Sequence, residues 1–321
     1  MNAVLFVGHG SREHEGNEEV RQFVKEIADK MHGHIVETCF LEFVEPTIMQ
    51  GIDRCVELGA SHVVVIPIIL FAAGHAKIHI PSAIDDAKKK YPFIKFTYGR
   101  PIGVHDQILD ILTSRLKDTG VQLNGDLGET ALLVVGRGSS DPDANSDLFK
   151  ISRLLWERLQ VEWVETAFIG VTAPLMDAGI ERCLRLGAKR VIILPYFLFT
   201  GVLIQRMEQM VQGYREQYGE HEFQMAPYFG FHPLLQEILI GRAEEALQDE
   251  VKMNCDMCQY RLEAMKHIDH HHHHDHEDHH HGHHHHNHDH DHDHDHDHDH
   301  DHDHDHHDHH HDHAETGGSK R

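Results

Sequence analysis

A histidine framed by two glycines at the end of an apolar run is the first residue in this chain placed for chemistry. Val4-Leu5-Phe6-Val7-Gly8-His9-Gly10-Ser11-Arg12 reads as a strand ending in a tight turn, which opens a polar helix over about residues 14–31. Such a corner presents backbone N–H groups and one side chain at the carboxyl edge of a parallel sheet, where open α/β folds place their ligands. A second apolar run, residues 63–71, leads to Gly74-His75 ahead of Ile80-Pro81. Between the two, Phe40-Leu41-Glu42-Phe43-Val44-Glu45-Pro46 ends a third strand on carboxylates. Parallel strands end on one edge, so His9, His75 and Glu42 are expected to face one cleft. Two imidazoles and a carboxylate suit a divalent transition metal and exchange protons near neutral pH. A solvated turn is the plainer reading of His9 alone; His62 and His79 lie near His75 and compete for its role.

Alternation of the two patterns sets the fold class. Strands are expected near 3–7, 34–41, 62–68 and 93–98, and helices near 14–31, 46–58, 81–90 and 104–118. That is the pattern of a parallel sheet covered on both faces. Residues 119–129 carry three glycines and no periodicity, and the pattern then starts again. Val134-Val135-Gly136-Arg137-Gly138-Ser139-Ser140 repeats the opening corner at an offset of 128, where Pro46 meets Pro174 and Gly51-Ile52-Asp53-Arg54-Cys55 meets Gly179-Ile180-Glu181-Arg182-Cys183. The chain is an internal duplication. Its segments are expected at 1–120 for the first domain, 121–130 for a linker, 131–250 for the second domain, 251–265 for a cysteine-bearing segment and 266–321 for a tail.

The duplication separates scaffold from chemistry. The second copy has Arg137 for His9, Gly170 for Glu42 and Val202 or Leu203 for His75, so the candidate ligands are not repeated although the frame is. Both copies must pack, but a shared cleft needs its chemistry only once. Cys55 and Cys183, kept in both copies on a helix, read as small core residues. Arg137, Ser139 and Ser140 suit a carboxylate beside free N–H groups, with a solvated arginine as the alternative.

The net charge of −24 is uneven: residues 266–321 supply −13 and leave −11 on the body. A body this acidic does not point to nucleic acid. No apolar run reaches the roughly 20 residues of a membrane helix, and five cysteines without extracellular disulfide spacing fit a cytoplasmic protein. The tail holds 29 of the 39 histidines, with strict Asp-His alternation from Asp289 to His306. It is too polar to form a core and is expected to be disordered, with His270 to His313 binding metal as a reservoir.

Taken together, Gly8-His9-Gly10-Ser11-Arg12, the Phe40-Leu41-Glu42 to Pro46 segment, Gly74-His75 with Ile80-Pro81, the duplication, Met253-Asn254-Cys255-Asp256-Met257-Cys258 and the histidine-rich tail resemble the class II tetrapyrrole chelatases. The resemblance is to the long-form sirohydrochlorin cobaltochelatases of anaerobic cobalamin biosynthesis. One departure is His79, where related sequences have aspartate before Ile-Pro. The resemblance implies two flavodoxin-like domains facing a cleft and ATP-independent insertion of Co²⁺, the substrate metal, into sirohydrochlorin. His9 and His75 would handle the metal and the protons, with Glu42 assisting. The many carboxylates of that macrocycle call for local cations, for which Arg12, Lys77, Arg100 and Arg137 are candidates, with Ser11 beside them, whereas Arg54 reads as a solvated helix face. Cys255 and Cys258 would hold an iron–sulfur cluster of the 4Fe–4S type. Two thiolates fall short of the usual four, so a cluster shared in a homodimer, non-cysteine ligands, zinc, a reversible disulfide or no function stay open. Iron insertion for sirohaem and non-enzymatic metal storage or metallochaperoning are the competing functions. A histidine phosphatase would want arginine where Gly8 stands.

Overall fold

The computed structural model describes residues 1–123 and 127–250, with the backbone alone at His75 and Ala76. The cysteine-bearing segment 251–265, with Cys255 and Cys258, and the tail 266–321 lie outside the described residues, as does part of the linker.

The first half runs β1 (Asn2–Gly8), α1 (His14–Ala28), β2 (Ile35–Phe40), α2 (Ile48–Glu57) and β3 (His62–Pro67). It continues through a five-residue π-helix (His75–His79) into α3 (Ile80–Lys90), β4 (Lys95–Tyr98) and α4 (Asp106–Lys117). The second half repeats this as β5 (Thr130–Gly136), α5 (Pro142–Leu159), β6 (Trp163–Phe168), α6 (Met176–Arg185), β7 (Arg190–Pro195), α7 (Val202–Gln217), β8 (Glu222–Met225) and α8 (Pro233–Leu247). Each half forms a four-stranded parallel sheet, ordered β2-β1-β3-β4 and β6-β5-β7-β8. The central strands carry unbroken apolar runs because helices cover both faces, and Ala3 to Val7 and Ala131 to Val135 are fully buried.

The cores show five layers. α2 and α3 cover the outer face of the first sheet, with Ile52, Cys55 and Ile84 buried. α6 and α7 do the same for the second through Ile180, Cys183 and Met207. Between the sheets lies one continuous core from both halves, with Phe6, Phe23 and Ile108 against Val134, Leu155 and Leu239.

The last helix of each half crosses to the other sheet: α8 packs on β3 and β4, and α4 on β7. Gly99 makes room for this, since a Cβ there would meet Ile66 at 2.3 Å and Ala246 at 3.5 Å. The Arg242 guanidinium, 3% exposed, donates to the carbonyls of Pro101 and Ile102 at 3.1 and 2.8 Å and pairs with Glu245 at 3.0 Å. Arg100 also pairs with Glu245, at 2.9 Å. A buried guanidinium left without such partners would cost several kcal/mol, roughly 3–5, so the crossing is specific. Among the described residues no helix is long and apolar enough to cross a membrane.

Candidate functional site

The strand order puts the switch of chain direction at β1, with β2 and β3 on either side, and the loops that follow these three strands carry Glu42, His9 and His75. Between the two sheets' carboxyl edges lies an open cavity of about 560 Å³, lined from the first half by His9, Ser11, Ile68, Phe71, Ile78 and His79. The second half contributes Arg137, Ser139, Val171, Tyr196 and Phe199.

Backbone closeness joins His9 to Glu42. Gly10 takes φ +84°, and a Cβ on it would stand 1.9 Å from the Glu42 carbonyl oxygen. The two segments are stitched by Leu41 N–H to Gly8 O at 3.0 Å and Glu42 N–H to His9 O at 3.2 Å. The corner itself is held by Asn17, whose Oδ1 accepts from Ser11 N–H at 2.9 Å and whose Nδ2 donates to Ser11 O at 2.7 Å. Asn145 holds Ser139 the same way. The serine hydroxyls serve the turn in both copies, Ser11 Oγ accepting from Glu13 N–H and Ser139 Oγ from Asp141 N–H.

The His9 ring is held from both sides. Its Nδ1 lies 3.1 Å from Gly10 O and 3.4 Å from Glu42 Oε1, while Arg137 Nη1 stands 3.3 Å from Nε2. A guanidinium only donates, so Nε2 is the acceptor and Nδ1 carries the proton, shared towards the carbonyl and the carboxylate. In this tautomer the Nε2 lone pair accepts from Arg137 at the cavity wall, with a carboxylate behind the ring as in histidines that ligate metals, and an incoming ion or proton would displace the guanidinium. Arg137, the duplicate of His9, supplies a cation from the opposite lip.

His75 opens the π-helix after β3, and its side chain lies outside the described residues. Among the described residues no group of three or more His, Cys, Asp or Glu is placed to hold a metal; His9 and Glu42 form a pair. His79 lines the cavity. His62 does not: it is buried in β3 and bonded to Thr97 Oγ1 at 2.9 Å. Burial and then Lys95 lower its pKa.

The expected cations divide. Arg137 is in the cavity. Arg12 stacks on Phe43, its guanidinium carbon 5.0 Å from the ring centre. Lys77 turns to the start of α5, 2.7 Å from Asp141 and 3.4 Å from Asp143, so it bridges the halves and its charge is already engaged. Arg100 lies away from the cavity with Glu245, because the crossing of α8 brings that carboxylate to the end of β4. Arg54 is exposed beside Glu57.

Sequence reasoning missed Tyr196 in the cavity lining. It is 2% exposed, stacks on Phe71 with ring centres 5.2 Å apart, and its hydroxyl has no hydrogen-bond partner among the described residues. Burial, with the charge of Asp147, pushes its pKa well above the usual 10. The signal was in the repeat, where Tyr196 corresponds to Ile68. Cys55 and Cys183 are core residues as expected, with burial first and nearby glutamates second raising their thiols to about 12.

Two parallel sheets that meet over a cleft, with a histidine–carboxylate pair on one lip, define a duplicated chelatase-like protein, and solved structures share this architecture. Bacillus subtilis SirB with Fe³⁺ is 34% identical at a TM-score of 0.68, covering 76% of this chain and 95% of that one. The sirohydrochlorin chelatase SirB from Bacillus subtilis subspecies spizizenii, in complex with cobalt, is 31% identical at 0.65, covering 77% and 96%. The CbiX family model matches residues 3–119 and 131–246, and the chain belongs to that family. Among curated relatives, a sirohydrochlorin cobaltochelatase of Priestia megaterium is 63% identical over 272 residues, 84% of this chain and 88% of the relative. A sirohydrochlorin ferrochelatase of the same organism is 36% identical over 250 residues, covering 78% and 92%.

Proposed function

We propose that this chain is a sirohydrochlorin cobaltochelatase, inserting Co²⁺ into the macrocycle without ATP in cobalamin biosynthesis. The observation that carries the reading is the held His9 ring in the wall of a cavity bounded by both halves, with its proton on Nδ1 towards Glu42 and its Nε2 against the displaceable Arg137 guanidinium. Metallation removes two protons from ring nitrogens while a cation passes from protein ligands to the macrocycle. A neutral imidazole can accept a proton or release a metal, and a sparse nitrogen and oxygen set holds the ion less tightly than thiolates would.

In this reading His9 and His75 are the metal-handling and proton-accepting residues, and Glu42 positions His9. Arg137 and Arg12 meet the macrocycle's carboxylates, with Ser11 beside them, and a carboxylate reaching Lys77 competes with Asp141 and Asp143. Cobalt is favoured over iron by the 63% identity to a cobaltochelatase against 36% to a ferrochelatase. The finer parts of the reading are a cluster on Cys255 and Cys258, a metal reservoir on His270 to His313, a homodimer and a place in the cytoplasm; both metal sites lie outside the described residues.

The test is sirohydrochlorin metallation followed by absorbance, with Co²⁺ and Fe²⁺ supplied separately to the full chain and to His9→Ala and His75→Ala. Cobalt insertion that either alanine abolishes is the expected result. Absence of insertion with both metals in the unaltered chain, while cobalt still binds, would replace the chelatase reading by metal storage.

A further inference from the structure

Phe43 and Val171 correspond at the offset of 128, and both hold φ +65°. Val44 N–H donates to Glu42 O at 2.9 Å and Thr172 N–H to Gly170 O at 2.8 Å. Each residue is thus the centre of a three-residue turn of the strained kind, a conformation that bulky and β-branched side chains disfavour and glycine accepts. Neither side chain serves the core, being 57% and 68% exposed. Gly10 and Gly138 lean on the backbone of these loops, their Cβ positions lying 1.9 and 2.2 Å from the carbonyl oxygens of Glu42 and Gly170. The second copy has replaced His9 and Glu42 yet keeps an apolar side chain at this disfavoured, exposed position. An apolar residue held there in both halves marks contact with something both halves touch.

Resting on the chelatase reading, we infer that Phe43 and Val171 are paired apolar grips for the flat macrocycle, one on each lip of the cleft. Val171 lines the cavity together with Ile78, itself 63% exposed. Phe43 follows Glu42 directly, and the Arg12 guanidinium over its ring sets a cation beside the apolar surface. A macrocycle with a conjugated face and carboxylates at its edge matches that pairing. On the other lip Ser140 occupies the position equivalent to Arg12. There the cation is Arg137, so each lip sets one apolar side chain and one guanidinium at the cleft.

The test replaces Phe43 and Val171 by glycine, singly and together, and by leucine and isoleucine respectively. Thermal midpoints, steady-state constants for macrocycle and buffered Co²⁺, and metal-free macrocycle binding by fluorescence are measured. Glycine suits the backbone, so these variants are expected to melt no lower than the parent. Their KM and Kd for the macrocycle should rise, roughly 3- to 10-fold each, with kcat and the KM for Co²⁺ within about twofold, while Phe43→Leu and Val171→Ile stay near the parent. Unchanged macrocycle constants in the double glycine variant overturn the inference, and so does an equal loss in the leucine and isoleucine variants. A parent that binds sirohydrochlorin but inserts neither Co²⁺ nor Fe²⁺ sinks the chelatase reading instead, and the grips are then judged on Kd alone.

Discussion

Gly10→Ala is the substitution that most directly tests how the backbone assembles the His9–Glu42 pair. At φ +84° an alanine carries a left-handed cost of roughly 1–2 kcal/mol. Its Cβ would also stand 1.9 Å from the Glu42 carbonyl oxygen, against the 3.0 Å below which real contacts essentially do not occur. The loop after β2 must therefore retreat by about 1 Å, since a close-packed interior does not absorb such an overlap in place. Glu42 Oε1 is 3.4 Å from His9 Nδ1, so the same retreat takes it out of contact, and misplacement on this scale is worth about 10²-fold in rate. The duplication provides a control. Gly138→Ala meets Gly170 O at 2.2 Å and carries a similar backbone cost, but Gly170 stands where the first copy has Glu42. Both variants should lose comparable stability by urea denaturation. In metallation assays corrected for folded fraction, Gly10→Ala should fall 10- to 100-fold in kcat, while Gly138→Ala should act mainly on the macrocycle KM through Arg137. A folded Gly10→Ala protein with an unchanged kcat would refute the argument.

Stability should fall as pH drops from about 6.5 towards 4. Burial first, then Arg242 and Arg100, lowers His105 to about 4, and His62 and His232 shift the same way; the unfolded chain then binds more protons in that window. Because His105 Nδ1 accepts from Gln107 N–H as the cap of α4, His105→Asn should keep the cap and flatten the slope of urea midpoints against pH; an unaltered slope would count against this account. Cys39, Cys55 and Cys183 should resist iodoacetamide at pH 8 in the native protein and react after unfolding, as read by peptide mass spectrometry, because burial raises all three thiols. Glu42→Gln should lower kcat with little change in the macrocycle KM, whereas Arg137→Gln should chiefly raise that KM; the reverse pattern in steady-state kinetics would exchange the two assignments. A chain ending at Lys266 should keep its rate at saturating Co²⁺ and lose it when metal is scarce, measured against a cobalt buffer.

The sequence by itself determined the duplicated parallel α/β fold. Unbroken apolar runs require sheets covered on both faces, and an offset that pairs Pro46 with Pro174 and Cys55 with Cys183 can arise only from a repeated frame. It also singled out His9, Glu42 and His75, because the second copy drops them while keeping the frame around them. Tertiary structure decided the rest, through contacts between residues far apart in the chain. The crossing of α4 and α8 binds the halves through one core and takes Arg100 to Glu245. Asp141 and Asp143 claim Lys77, and Asn17 ties Ser11 into its turn. Arg137, 128 residues from its counterpart, comes to stand on the Nε2 of His9, and Tyr196 is buried in the cavity wall. No local pattern encodes such meetings, since a charge or hydroxyl at a strand end reads the same until packing supplies its partner.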